Sequence, residues 1–135
     1  MSIEGKVAII TGASSGIGYA TALALSKVGV KVAIGARRTD KLEQLENEIK
    51  KNGGEVLAQK LDVTKKDDCN AFVDQAIKKW GAVDILVNNA GAAWGAPLDE
   101  YPENGWDKVM DTNVKGVFFL TQKLLPLLRE GAKSN

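Results

Sequence analysis

The sequence predicts an α/β protein built on a doubly wound parallel sheet, and three observations carry that prediction. Short apolar runs alternate with helical patterns along the 135 residues, as they do where helices cover both faces of a parallel sheet. The breaks between them are short, and several are rich in glycine. The last of the apolar runs, Asp84 to Asn88, is apolar almost throughout, the pattern of a strand in a sheet interior.

Taken in order, the first strand is predicted over Lys6 to Thr11, where Val7, Ala8, Ile9 and Ile10 run without interruption. The turn Gly12-Ala-Ser-Ser-Gly-Ile-Gly18 follows, then a helix from Gly16 to Val28 that carries Ala20, Ala22, Leu23, Ala24 and Leu25 and stops at Gly29. The second strand is Lys31 to Ala36. Asp40 and Glu43 resemble a capping box for the next helix, which carries Leu42, Leu45 and Ile49 and ends at Asn52, Gly53 and Gly54. The third strand is Glu55 to Leu61. Thr64 with Asp67 opens its helix, with Phe72, Val73, Ala76, Ile77 and Trp80 on one side and Gly81 behind. Right-handed crossovers then give the strand order 3-2-1-4, a Rossmann-like sheet cut before its fifth strand. The final helix is unusually apolar from Val114 to Leu128, and Pro126 within it predicts a kink.

Composition bounds the function. Hydrophobic residues make up 44% and charged residues 26% of the chain, close to the average for a soluble protein, and a single domain over residues 1–135 can bury a core. Lysine plus arginine exceeds aspartate plus glutamate by one, and interspersed signs argue against nucleic acid or an anionic membrane as partner. With no targeting segment and no run of membrane-spanning length, a cytoplasmic location is expected. The chain has no histidine, which removes histidine metal sites and serine-histidine triads; no metal site is expected. The lone Cys69 lies in a helical pattern and reads as a structural thiol.

The glycine turn points to chemistry. A glycine-rich turn alone is only a loop, but this one leaves an apolar strand and opens a helix, the context of a dinucleotide-phosphate site. Gly12, Gly16 and Gly18 let main-chain N–H groups approach a diphosphate at the positive end of the helix. The ligand cleft belongs between the first and fourth strands, at their carboxyl ends. At the end of the second strand, where a fold selecting NAD places a carboxylate, the chain has Ala36 followed by Arg37 and Arg38. Arg37 offers a planar fork for a 2′-phosphate, so NADP(H) is expected in preference to NAD(H). Arg38 either assists or is a solvated residue ahead of a helix.

Thr11-Gly-Ala-Ser-Ser-Gly-Ile-Gly18, Leu61-Asp-Val63, Asn88-Asn-Ala-Gly91 and Asn113 within Met110-Asp-Thr-Asn-Val114 together resemble the successive motifs of the short-chain dehydrogenase/reductase family. The resemblance extends from about Glu4 to Glu130. It implies an NADP(H)-dependent oxidoreductase moving a hydride between nicotinamide and a small carbonyl or alcohol substrate, and general similarity is greatest to 3-oxoacyl-[acyl-carrier-protein] reductases. It implies roles for individual residues. Gly12, Gly16, Ile17 and Gly18 line the diphosphate, with Ser14 and Ser15 in reach of the adenosine-side phosphates. Asp62 bonds the adenine amino group and Val63 borders the ring. Asn88 to Gly91, hence Asn89 and Ala90, tie the fourth strand to the first loop through Thr11 and wall the nicotinamide-ribose site. Asn113 lies at a helix kink and orders a water that links the catalytic lysine to solvent. The plainer readings are a buried amide pair at Asn88 and Asn89 and a turn residue at Asp62. The last helix, residues 106–130, reads either as a homo-oligomer surface, as the family implies, or as a face packed on the remainder of its own domain. The loop with Trp94, followed by Trp106, borders a substrate cleft in the family and would suit an acyl substrate.

One family element is missing. The reaction uses a tyrosine with a lysine four residues later, and the tyrosines here, Tyr19 and Tyr101, are followed at that distance by Leu23 and Gly105. Because positioned general acid catalysis contributes about 10²- to 10⁴-fold, this chain alone is expected to be a poor or inactive dehydrogenase. Two readings follow: the cofactor-binding half of an oxidoreductase, or a non-catalytic NADP-binding or interaction module.

Overall fold

The computed structural model describes residues 2–133; the predicted domain limits, Met1 and Asn135, lie outside them. Four parallel strands, β1 (Val7–Thr11), β2 (Lys31–Ala36), β3 (Val56–Lys60) and β4 (Ile85–Val87), stand in the order β3-β2-β1-β4. The order is the predicted one. Ile9 of β1 lies opposite Ala33 on one side and Leu86 on the other.

Alternation along the strands builds two cores. Ala8, Ile10, Val32 and Ile34 face α1 (Gly16–Lys27) and α2 (Thr39–Lys51), meeting Ala22, Leu42, Leu45 and Ile49. Ile9 and Ala33 point to the other face, where Phe72, Val73 and Ala76 of α3 (Lys66–Trp80) and Leu120 and Leu124 of the last helix cover them. The side chains of Ile9, Ile10, Ile34, Leu45 and Phe72 are fully buried, each a transfer of roughly 1.5–3 kcal/mol.

Three expectations need correction. β4 spans only three residues and its side chains are half-buried; among the described residues it stands at the edge of the sheet, where the predicted order places it, although its apolar run reads as an interior strand. Its apolar sequence reports a need for cover on both faces, not its place in the sheet. Neither capping box forms: α2 follows Arg38 and α3 follows Lys65, both without a side-chain cap. Thr64 is engaged elsewhere, donating its N–H (3.0 Å) and hydroxyl (2.6 Å) to Asp62 Oδ1. Such a local side-chain turn competes directly with capping. The expected helix over 106–130 is α4 (Glu103–Met110), a π-helical turn (Asp111–Gly116) and α5 (Val117–Lys133), and α5 continues through Pro126. The irregular turn therefore sits around Asn113, and Val114, Phe118, Phe119 and Leu125 are left exposed on the outer side.

Candidate nucleotide site

The carboxyl ends of β1 to β4 surround a cleft of about 380 Å³. Thr11 ends β1 fully buried, and its hydroxyl is the hub of the site: it accepts the N–H groups of Asn89 and Ala90, each at 3.0 Å, and donates over a long 3.5 Å to the Val87 carbonyl. The Asn89 side-chain amide donates to the Gly12 carbonyl at 3.0 Å. This joint leaves no room for side chains. A Cβ on Gly12 would stand 2.8 Å from Ala90 Cα, and one on Gly18 would stand 2.5 Å from the Gly12 carbonyl oxygen and collide with the Asn89 amide. Gly12 also has φ +63°, which disfavours any L side chain.

The start of α1 is prepared for an anion. Ser15 precedes it in extended conformation without bonding the helix, and its first turn contains no acidic residue, whereas α2 and α3 carry Asp40, Asp67 and Asp68 there. The N–H groups of Gly16, Ile17 and Gly18 are thus left for a ligand or water. Gly12, Ser14 and Ser15 line the cleft; Ile17 points away, 78% exposed.

The opposite lip consists of Ala36, Arg37, Arg38, Leu61, Asp62 and Val63. Both arginines are exposed. Burial alone would raise the Asp62 pKa, but the two hydrogen bonds from Thr64 and the charges of Arg37 and Lys65 outweigh it and hold the carboxyl below its usual value. Its Oδ1 is occupied by Thr64, which leaves Oδ2 as a free acceptor beside the cleft.

Asn89, Ala90 and Gly91 close the side next to β4, and Thr112, which the sequence reading passed over, joins them. Its position beside Asn113 was the available signal. Asn113 lies outside the lining and exchanges two hydrogen bonds with the main chain of Ala92: Ala92 N–H to Oδ1 at 2.9 Å, and Nδ2 to the Ala92 carbonyl at 2.8 Å. Asn88 turns to α5, donating to the Thr121 hydroxyl at 3.1 Å. Neither tyrosine lies on the cleft: Tyr19 donates to Glu48 at 2.6 Å and Tyr101 to the Trp94 carbonyl at 3.3 Å. The hydrogen bond to Glu48, then burial and the Glu48 charge, raise the Tyr19 pKa, the wrong direction for an acid working at neutral pH.

A doubly wound parallel sheet with a glycine turn at its switch point defines the dinucleotide-binding class of α/β proteins. Residues 6–135 match the family model described as short chain dehydrogenase, and the chain belongs to that family. It is 46% identical over 126 residues to an uncharacterized oxidoreductase of Listeria monocytogenes, covering 93% of this chain and 51% of that protein. It is 41% identical over 128 residues to the 3-oxoacyl-[acyl-carrier-protein] reductase FabG of Thermotoga maritima, covering 95% and 52%. The alcohol dehydrogenase of Thermococcus sibiricus, solved in complex with 5-hydroxy-NADP, superposes with a TM-score of 0.89 at 37% identity over 93% of this chain and 54% of that one. The chain thus spans about half the length of the curated relatives it matches.

Proposed function

We propose that residues 1–135 bind NADP(H), in preference to NAD(H), for an oxidoreductase that moves a hydride between nicotinamide and a carbonyl or alcohol substrate. The observation that carries this reading is the lip of the cleft, where Ala36 stands in place of a carboxylate and Arg37 and Arg38 lie exposed beside it. A carboxylate there would accept from a ribose hydroxyl and repel a 2′-phosphate; an arginine fork attracts the phosphate. The alcohol dehydrogenase relative with its NADP-type ligand supports the same choice.

The chain's own groups divide the work. Main-chain N–H groups at the start of α1, with Ser14 and Ser15, hold the diphosphate, and Arg37 holds the 2′-phosphate with Arg38 in support. Asp62 accepts from the adenine amino group through Oδ2, against Val63. Thr11 fixes Asn89, Ala90 and Gly91 as the wall of the nicotinamide ribose. The bound nicotinamide supplies or takes the hydride. Asn113 is a positioning residue whose two bonds to Ala92 set the course of the wall. No tyrosine in this stretch has a lysine four residues on, so the chain alone does not turn over. The substrate is a small carbonyl or alcohol compound, acyl-bearing by analogy with the FabG relative. The exposed residues of α5 serve a homo-oligomer contact, and the protein works in the cytoplasm. Arg37→Asp tests the cofactor assignment: NADPH affinity should fall by about tenfold or more, the loss of one charge-assisted contact, and an unchanged dissociation constant would overturn it. Robust NADPH-dependent ketone reduction by the purified chain would overturn the claim of inactivity.

A further inference from the structure

Asp62 lies just past β3 on the arginine lip of the cleft, and neighbours close in sequence hold it there. Its N–H donates to Asp68 Oδ2 at 3.1 Å, and its carbonyl accepts the Lys65 N–H at 3.0 Å. Asp68 belongs to the first turn of α3, and one turn further on Phe72 is fully buried against the sheet. The main chain of Asp62 is thus tied to a helix that the core fixes. Its side chain is tied separately, by the Thr64 N–H at 3.0 Å and the Thr64 hydroxyl at 2.6 Å, both to Oδ1.

An aspartate bonded to the main chain two residues on is a common turn, and the Thr64 N–H alone closes it. The hydroxyl adds something the turn does not need. At 2.6 Å it is a short, charge-assisted bond. Because it goes to the oxygen that already holds the N–H, the other oxygen stays open on a residue that lines the cleft. Burial pushes the carboxyl pKa up, but the bonds from Thr64 lead the effects that outweigh it, so the open oxygen is an acceptor only. The Arg37 and Lys65 charges also act on the carboxylate, yet among the described residues neither cation comes within salt-bridge distance of it. A carboxylate released from Thr64 would be free to swing toward either. Thr64 itself is exposed and outside the cleft lining, so its effect on a ligand passes through Asp62.

We propose that Thr64 is a positioning residue that fixes Asp62 Oδ2 against one edge of the purine, and so makes the site selective for a base with an amino group there over one with an oxo group. The inference rests on the reading of Asp62 as the adenine acceptor. A fixed acceptor meets the amino group of adenine but is repelled by the oxo group of hypoxanthine, whereas a swinging one reaches the ring N–H beside that oxo group. The probes are NADP⁺ and nicotinamide hypoxanthine dinucleotide phosphate, which carries the oxo group in place of the amino group. Both are titrated calorimetrically into the purified protein, Thr64→Val and Thr64→Ser. The unaltered protein should bind NADP⁺ about tenfold or more tighter than the hypoxanthine analogue, the worth of a hydrogen bond to a charged group. Thr64→Val, which keeps the shape and the N–H bond, should bring that ratio to about threefold or less, and Thr64→Ser, which returns the hydroxyl, should restore it to within about twofold. Equal affinities in the unaltered protein, or no binding of NADP⁺, would overturn the reading of Asp62 and this proposal with it. A native preference that survives Thr64→Val, even with both affinities lowered, would overturn the proposal alone, since Thr64 would then serve the fold and not the base. So would a lost preference that Thr64→Ser fails to restore.

Discussion

On the glycine-turn side of the cleft the Thr11 hydroxyl holds the N–H groups of Asn89 and Ala90 and the Asn89 amide holds the Gly12 carbonyl, all at about 3.0 Å, and neither Gly12 nor Gly18 has room for an added carbon. On the arginine side, Arg37 and Arg38 are exposed and make no salt bridge among the described residues. The difference separates two tasks. Backbone geometry, common to any dinucleotide, is set by packing that cannot shift, whereas the choice between dinucleotides is left to exposed charges that can change without disturbing the fold. Substitutions on the first side should therefore cost stability and binding together, and those on the second should cost binding alone.

The largest effect is expected at Gly18. Valine there would drive its Cβ into the main-chain carbonyl of Gly12 and push the Asn89 amide off its hydrogen bond to that carbonyl; a loss of about 3 kcal/mol or more in urea unfolding, with no measurable NADPH binding, is the expected outcome. Thr11→Val comes next. It keeps the shape but takes away the acceptor of two N–H groups, and each donor left unsatisfied costs about 1–3 kcal/mol. Chemical denaturation should show that loss, and a change below about 0.5 kcal/mol would mean that water replaces the hydroxyl freely. Arg37→Asp should leave unfolding unchanged within about 0.5 kcal/mol while weakening NADPH. A parallel loss of stability would erase the distinction between the two sides.

The smallest effect concerns pH. Asp62 has a carboxyl pKa held below the value of the unfolded chain, so the stability it contributes is present above the ordinary aspartate value near ~3.9 and is lost as pH falls through the lower folded value. Asp62→Asn should flatten the acid side of the stability profile, and an unchanged profile would show that Asp62 and Thr64 are not coupled in solution.

Much of this arrangement was legible in the sequence. β2 occupies the predicted Lys31–Ala36 and α1 starts at Gly16 as expected, because periodicity and glycine punctuation are local signals. The strand order followed from crossover handedness. What misled were features decided by competition between partners, whether two residues away or across the sheet. The capping residue Thr64 was lost to Asp62, and the apolar run of β4 gave no sign of which neighbours it would have. The π-helical turn at Asp111–Gly116 has no periodic signature, and only Asn113, a poor choice inside a helix, marked the place. In the cleft, motif residues drew attention to themselves, whereas Thr112 enters through the irregular turn of the backbone alone.

The division between a fixed joint and a selective lip is tested most directly by titrating NADPH and NADH side by side into the unaltered protein and into Arg37→Asp. The account predicts NADPH tighter by about tenfold or more in the first, the worth of one charge-assisted contact to the phosphate, and a gap that closes or reverses in the second. Equal affinities in the unaltered protein, or a preference for NADH, would contradict it.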